Sequence, residues 1–331
     1  GNLTFDGSTL ALTGDATISG TAQVSGVLTA AAKLDMNGTE LILDADADTS
    51  ITADTDDTID IRIAGADDFQ FTANTFTALS GSTVTIASGA TIANSGTAAG
   101  FGGRHNHLIN GEFSVSQRAT SFVASANNDD VYTLDRWNLV SDGNDIVDVT
   151  QSTTVPTGGA LKSIALDVET ANKQFGIVQI IEAKNCTGLI GNEVTFSFKA
   201  KVSNTRLGDV RAGIVAWSST ADSVTSDIVA TYNDDANPTL ASNLTFENTP
   251  SDLGVTTSWV TYSITATIDT GSTTNVVVWI GSVDSGTTAG DFLYITDCQL
   301  EVGSIATDFE REFIGTILEK CRRYYQRVDG A

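Results

Sequence analysis

Along V194-T-F-S-F-K-A-K-V, apolar and polar positions alternate: Val194, Phe196, Phe198, Ala200 and Val202 share one face, and Thr195, Ser197, Lys199 and Lys201 the other. That period of two is the signature of a half-buried β-strand, because successive side chains of an extended chain point to opposite faces. V260-T-Y-S-I-T-A-T-I repeats it, and further strands are expected near 161–168, 174–182, 209–217, 275–281 and 292–301. The Gly, Asn, Asp and Ser-rich segments between them read as turns, so the pattern predicts an antiparallel β-sandwich, specifically a jelly roll. Only F313-I-G-T-I-L-E-K-C-R-R-Y-Y-Q-R changes period: Ile314, Ile317, Leu318 and Cys321 fall at helical spacing and predict a short closing helix.

The first hundred residues follow a different rule. G14-D-A-T-I-S, G20-T-A-Q-V-S and Gly26 form a six-residue repeat with one β-branched residue at a fixed offset, echoed by S80-G-S-T-V-T-I and S88-G-A-T-I-A-N. Repeats this short bury one or two small side chains per turn and must stack on neighbours or on other chains. Between them Ile59, Ile61 and Ile63 alternate with Asp60 and Arg62, and Phe69 and Phe71 flank Gln70, which predicts a meander of short strands. The expected fold class is thus all-β: a repetitive β-stalk over 1–100, built of interlaced trimeric strands or a β-helix or β-prism, then a glycine-rich joint over 101–110 and a jelly-roll head over 111–331 with its closing helix. So little apolar surface per chain favours association of three copies about one axis, a homotrimer.

Composition sharpens the division. Residues 1–100 hold four aromatics (Phe5, Phe69, Phe71, Phe76) and no Pro, whereas all four Trp, all six Tyr and all three Pro lie beyond. With 17 Lys plus Arg against 41 Asp plus Glu, the formal charge of −24 argues against a nucleic-acid partner, which needs a basic footprint. It also repels anionic headgroups and phosphorylated glycans, leaving neutral sugars or a calcium-bridged anionic glycan as the better match. No stretch approaches an apolar bilayer span, so no membrane insertion is expected. Cys186, Cys298 and Cys321 form no C-x-x-C pair and are odd in number, which fits folding in a reducing cytoplasm. A chain opening at Gly1, with Met36 its only Met, reads as a fragment or a processed product.

Candidate chemistry is sparse. Only two histidines exist, His105 and His107, and no nucleophile-elbow motif accompanies them, so no enzyme is expected. On a strand the H-N-H segment points both imidazoles to one side, where three chains could hold one axial transition metal, against the simpler reading of two solvated linker histidines. The acidic run from Asp44 to Asp68 offers hard oxygen ligands for calcium but lacks a D-x-D-x-D-G loop with a distal Glu, and a solvated acidic stalk accounts for it. No cofactor is therefore expected. For carbohydrate binding, aromatic faces stack on sugar rings while Asp and Asn accept hydroxyl hydrogens. Trp217, at a strand end, and Tyr232, followed by Asn233 and Asp234, are the best-placed residues, whereas Trp137, Trp259 and Trp279 sit inside strand patterns and read as core.

Several motifs in order carry a resemblance: N110-G-E-F-S-V-S-Q-R-A-T-S-F, Y132-T-L-D-R-W, Q299-L-E-V-G-S-I-A-T-D-F-E-R-E and C321-R-R-Y-Y-Q. Over roughly 104–327 the chain resembles the C-terminal jelly-roll domain of many bacteriophage tail fibre proteins, whose sandwich is similar to carbohydrate-binding modules. The run D44-A-D-A-D-T-S-I-T-A-D-T-D-D-T-I-D-I-R-I-A-G-A-D-D-F likewise resembles stalk segments of marine phage structural proteins. The resemblance implies a virion protein assembled in the host bacterial cytoplasm, attached to other tail proteins through an N-terminal region and directed at a host-surface glycan. A head fibre or other decoration protein with a purely structural sandwich is the alternative, and a glycan-depolymerising tailspike a further one. The family pattern includes no catalytic set to transfer.

Overall fold

In the computed structural model, residues 39–85 and 106–327 are described, with a few isolated positions between 19 and 29. The chain divides into two units, Gly1–Ala93 and Asn94–Ala331. In the first, Leu41–Ile42, Ser50–Thr52, Ile59–Ile63, Ala66–Thr72 and Thr75–Ala78 form a five-stranded antiparallel meander in chain order. The expected alternation sets its faces. Cross-strand pairing puts Ile51, Ile61 and Phe69 in one row and Ile59, Phe71 and Phe76 in the next, on the same face. The glycine-anchored repeats that suggested a β-helix or interlaced strands lie largely outside the described residues.

The second unit is an antiparallel β-sandwich of two sheets. Sheet I runs in the order Leu244–Phe246, Val210–Trp217, Asn275–Ser282, Phe175–Ile181, Asn138–Ser141. Sheet II runs Val260–Thr267, Glu193–Val202, Phe292–Val302, Ser163–Val168, Val147–Ser152, Ser121–Phe122. Because the chain crosses between sheets after nearly every long strand, each sheet pairs strands distant in sequence, as a jelly roll requires. Val194, Phe196, Phe198, Ala200 and Val202 of sheet II meet Ile177, Ala212, Ile214, Val278 and Ile280 of sheet I in the main core. The closing helix is Ile314–Arg322, whose Ile317 and Cys321 pack with Val115 in a separate small cluster.

Sheet I has a second apolar face. Val140, Val178, Val215, Val277 and Trp279 point away from the main core and cluster with Leu244 of the edge strand, and the excursion between Trp217 and Leu244 lays Ile228 over them. Trp279 is thereby fully buried, 6.0 Å from the Phe246 ring. Glycines make room: a Cβ on Gly176 would stand 2.5 Å from the Ile280 carbonyl oxygen and 2.8 Å from the Trp279 indole nitrogen.

Candidate functional site

The recognised motif residues turn inward and hold the sandwich together. Asn110, at a positive φ of 61°, accepts from the Val115 amide and donates to the carbonyls of Val115 and Asp135, while the buried Trp137 indole donates to the Asn110 carbonyl at 3.1 Å. Asp135 in turn accepts from the backbone and side chain of Gln117. Arg311 bridges Glu112 (2.8 Å) and Asp297 (3.2 Å), and Lys199 reaches the same Asp297 at 2.9 Å. Buried carboxylates need partners of this kind, so these motifs specify the scaffold. The three thiols belong with it: burial pushes Cys186 up to about 11 and Cys321 to about 12, and Cys298 well above the ordinary range, which leaves them unreactive.

The last motif also builds a surface. After the helix, the amides of Tyr324 and Tyr325 both donate to the Cys321 carbonyl, and the two rings diverge onto two arginines. Arg118 is sandwiched between Tyr325 (3.8 Å to the ring centre) and Tyr132 (4.0 Å), and Arg136 lies 3.5 Å over Tyr324. Such stacking satisfies a guanidinium face while leaving its edges to hydrogen-bond. Arg136 is 8% exposed at a positive φ of 76°; one edge donates to the Ile180 carbonyl, and its buried Nε has no protein acceptor.

Tyr324 separates two pockets. The first, about 400 Å³, opens on the outer face of sheet I between Tyr132, Arg136 and Tyr324 on one side and Thr225 and Ser226 of the excursion on the other, with Glu182 and Asp222 in its wall. The second, about 390 Å³, lies beyond Tyr324 among His107, Lys184, Asn185, Lys320 and Arg323. Burial would raise the Glu182 carboxyl, but hydrogen bonds from Arg323 and Lys184 outweigh it and hold it below its ordinary range. Asp222 is likewise lowered, first by the Ala183 amide and then by the Asn275 side chain. Both are ionised at neutral pH and serve as acceptors.

Neither pocket contains Trp217, Tyr232 or Asp234, the carbohydrate-binding residues expected from sequence. Trp217 is half-buried, its indole nitrogen donating to the Thr220 carbonyl at 2.9 Å and its ring packed under the excursion. It ends its strand opposite Asn275. Asp234 is at the other end of sheet I, where Gln174 donates to it at 2.7 Å and the neighbouring Asp235 amide bonds Val283. Seven residues of strand, roughly 23 Å, separate the two ends. Tyr232 stays with Asp234, but its hydroxyl is buried without a partner; burial and then the charges of Asp129, Asp130 and Asp142 raise its pKa. The three residues therefore do not form one surface. His107 lines the second pocket, while His105 lies outside the described residues. In the first unit Asp44, Asp46 and Asp48 bring carboxylates within 4.8 Å of one another, all exposed, as a solvated acidic loop does.

No family model and no curated protein matches this chain. Solved structures match it in part. The enzymatically active domain of a tailspike protein of bacteriophage CBA120 aligns with 60% of this chain and 21% of its own, at 15% identity and a TM-score of 0.35. A carbohydrate-binding module solved with β-1,4-galactotriose aligns over 60% and 99% of the two chains (14% identity, TM-score 0.33), and a xylan-binding domain from Paenibacillus barcinonensis over 61% and 97% (12%, 0.33). The match spans about a fifth of the tailspike chain and nearly all of the two modules. Likeness at this level leaves those proteins' ligands and activities with those proteins.

The residues that shape the pockets were not legible as a site. Tyr324 and Arg323 stand in the C321-R-R-Y-Y-Q motif, and Tyr132 and Arg136 in Y132-T-L-D-R-W. Glu182, Asp222 and Thr225 are brought to them by the sheet crossing and the excursion. The one sequence signal was compositional: R322-R-Y-Y-Q-R gathers three cations and two aromatics in a chain otherwise dominated by acids.

Proposed function

We propose that this chain is a glycan-binding bacteriophage tail fibre, a homotrimer in the virion whose sandwich attaches to a host-surface glycan through the pocket beside Tyr324. The observation that carries the binding step is the lining of that 400 Å³ space. Tyrosine rings offer apolar faces to a pyranose, Glu182 and Asp222 accept hydroxyl hydrogens, and Thr225 and Ser226 can do either. The ordered motifs support the fibre identity by resemblance. Attachment to other tail proteins through an N-terminal region belongs to the same proposal. The open apolar rows of the N-terminal meander support self-association, and three weak sites on one fibre would multiply into a firm attachment.

The protein is proposed to bind without cleaving. Glycoside hydrolysis needs one carboxyl kept protonated beside an ionised one, and the environments of Glu182 and Asp222 lower both. The second reading, a structural decoration protein, is favoured by the inward turn of the motif residues and by the excursion that covers sheet I.

Thr225 is exposed at the pocket rim, so Thr225→Trp fills the space without touching the core. On a glycan array the unaltered chain should bind saturably, and the variant should lose at least about tenfold in affinity at an unchanged melting temperature. A chain that binds no glycan would replace this reading with the structural one.

A further inference from the structure

The second pocket runs against the charge of the rest of the molecule. The chain has 17 basic residues against 41 acidic ones, yet Lys184, Lys320 and Arg323 converge on this one space together with His107 and the Asn185 amide, and no carboxylate lines it. The acids that partner these cations approach from outside the lining. Glu182 holds Lys184 at 3.2 Å and Arg323 at 3.1 Å from the first-pocket side, and Glu312 holds Lys320. Such pairing fixes the direction of each cation without exhausting it. An ammonium has three donors and a guanidinium five; each lysine pair engages one ammonium contact, and Arg323 turns its Nε and one terminal nitrogen to Glu182, which leaves its other terminal nitrogen outside that pair.

We infer that this second pocket takes the acid group, carboxylate or sulfate, of an anionic sugar whose neighbouring residue occupies the first pocket. The inference deepens the glycan-binding reading and rests on it. Tyr324 is the common wall, so adjacent residues of one oligosaccharide can lie on its two sides, the neutral ring against Tyr132, Thr225 and Ser226 and the acid group against Lys184, Lys320 and Arg323. Charge-assisted hydrogen bonds from lysine and arginine are the strong ones, and the planar arginine fork matches a carboxylate or sulfate. The net charge of −24 does not forbid this. Exposed charges more than about 8 Å away are largely screened at physiological salt, whereas these cations would act in contact. Net charge alone led to the expectation of a neutral or calcium-bridged ligand; where the cations stand leads to a directly bound acidic one, and the titrations below separate the two.

The test is calorimetric titration of the full chain with uronate, sialyl and sulfated oligosaccharides, each beside its carboxyl-reduced or desulfated counterpart, and with inorganic phosphate as a free anion. At least one acidic member should bind about tenfold tighter than its neutral counterpart. Lys320→Gln, whose carboxylate partner Glu312 lines neither pocket, should reduce that preference and leave neutral-sugar affinity unchanged. Equal affinity for every acidic and neutral pair overturns the inference while the glycan-binding reading stands. Inorganic phosphate binding more tightly than any acidic sugar overturns it in favour of a free-anion site. A chain that binds no sugar overturns both readings, and loss of neutral-sugar binding in Lys320→Gln overturns the division of labour between the pockets.

Discussion

Asp130 shows how one side chain couples burial, charge and backbone. Its carboxyl is raised to about 6, first by burial and then by the neighbouring charges of Asp129 and Asp227. It sits at φ 62°, and its carbonyl accepts from the Ser226 hydroxyl, which ties the excursion to this corner of the sandwich. A carboxyl whose folded pKa lies above its unfolded value costs stability once ionised. The folded form binds more protons between about pH 4 and pH 6, so the contribution falls as pH rises through that window and stays unfavourable above it. Asp130→Asn removes the charge and keeps a residue that tolerates positive φ. Thermal melts should show the variant more stable than the unaltered chain at pH 7 and equal to it near pH 4. A gain of the same size at both pH values would trace the effect to something other than ionisation. Single residues of this kind were the least legible part of the sequence. Trp137 and Trp279 are buried as their strand patterns suggested, but Trp259 is half-buried against Tyr294, and Trp217 packs under a loop. An alternating pattern says which face a side chain takes, not what covers that face.

Elements were legible where their information is local. Ser163–Val168, Phe175–Ile181, Val210–Trp217, Val260–Thr267 and Asn275–Ser282 fall within a residue or two of the alternating runs that predicted them, and the closing helix begins at Ile314 as its spacing required. The excursion across sheet I was not legible, because most of what it covers, Val140, Val178, Val277 and Trp279, lies on strands thirty and more residues away in sequence. Its seating depends on glycines that a strand pattern marks only as gaps. Gly176 faces the Ile280 carbonyl so closely that an added methyl must displace backbone as well as the Trp279 ring. Gly176→Ala should therefore cost about 1–3 kcal/mol, the range for overpacking a filled interior, read as a lowered denaturant midpoint at unchanged slope. A neutral substitution would mean that the strand pair can open by the missing ångström without loss.

At the scale of the whole molecule, the N-terminal meander is inverted relative to a self-sufficient sheet. Ser50, Thr52 and Asp60 on one face are 0–5% exposed, whereas Ile51, Ile59, Ile63, Phe71 and Phe76 on the other remain 38–54% exposed among the described residues. The Phe71 and Phe76 rings stack at 4.9 Å and Phe69 and Phe76 at 5.7 Å, so the rows form one continuous apolar strip. A strip of that kind needs a cover, and a fibre built of identical chains supplies it in the form of the same strip on its neighbours. Each large side chain so buried contributes about 1.5–3 kcal/mol, and a carboxylate in its place would have to be desolvated without a partner. Light scattering on the unaltered chain should give three times 34.5 kDa. Phe71→Asp should shift that mass toward the single chain, while the melting transition of the sandwich, which has its own core, stays in place. A stable monomer in the unaltered chain would remove the fibre, and with it the multiplication of weak glycan contacts on which firm attachment depends. A trimer that survives Phe71→Asp would move the self-association away from this strip.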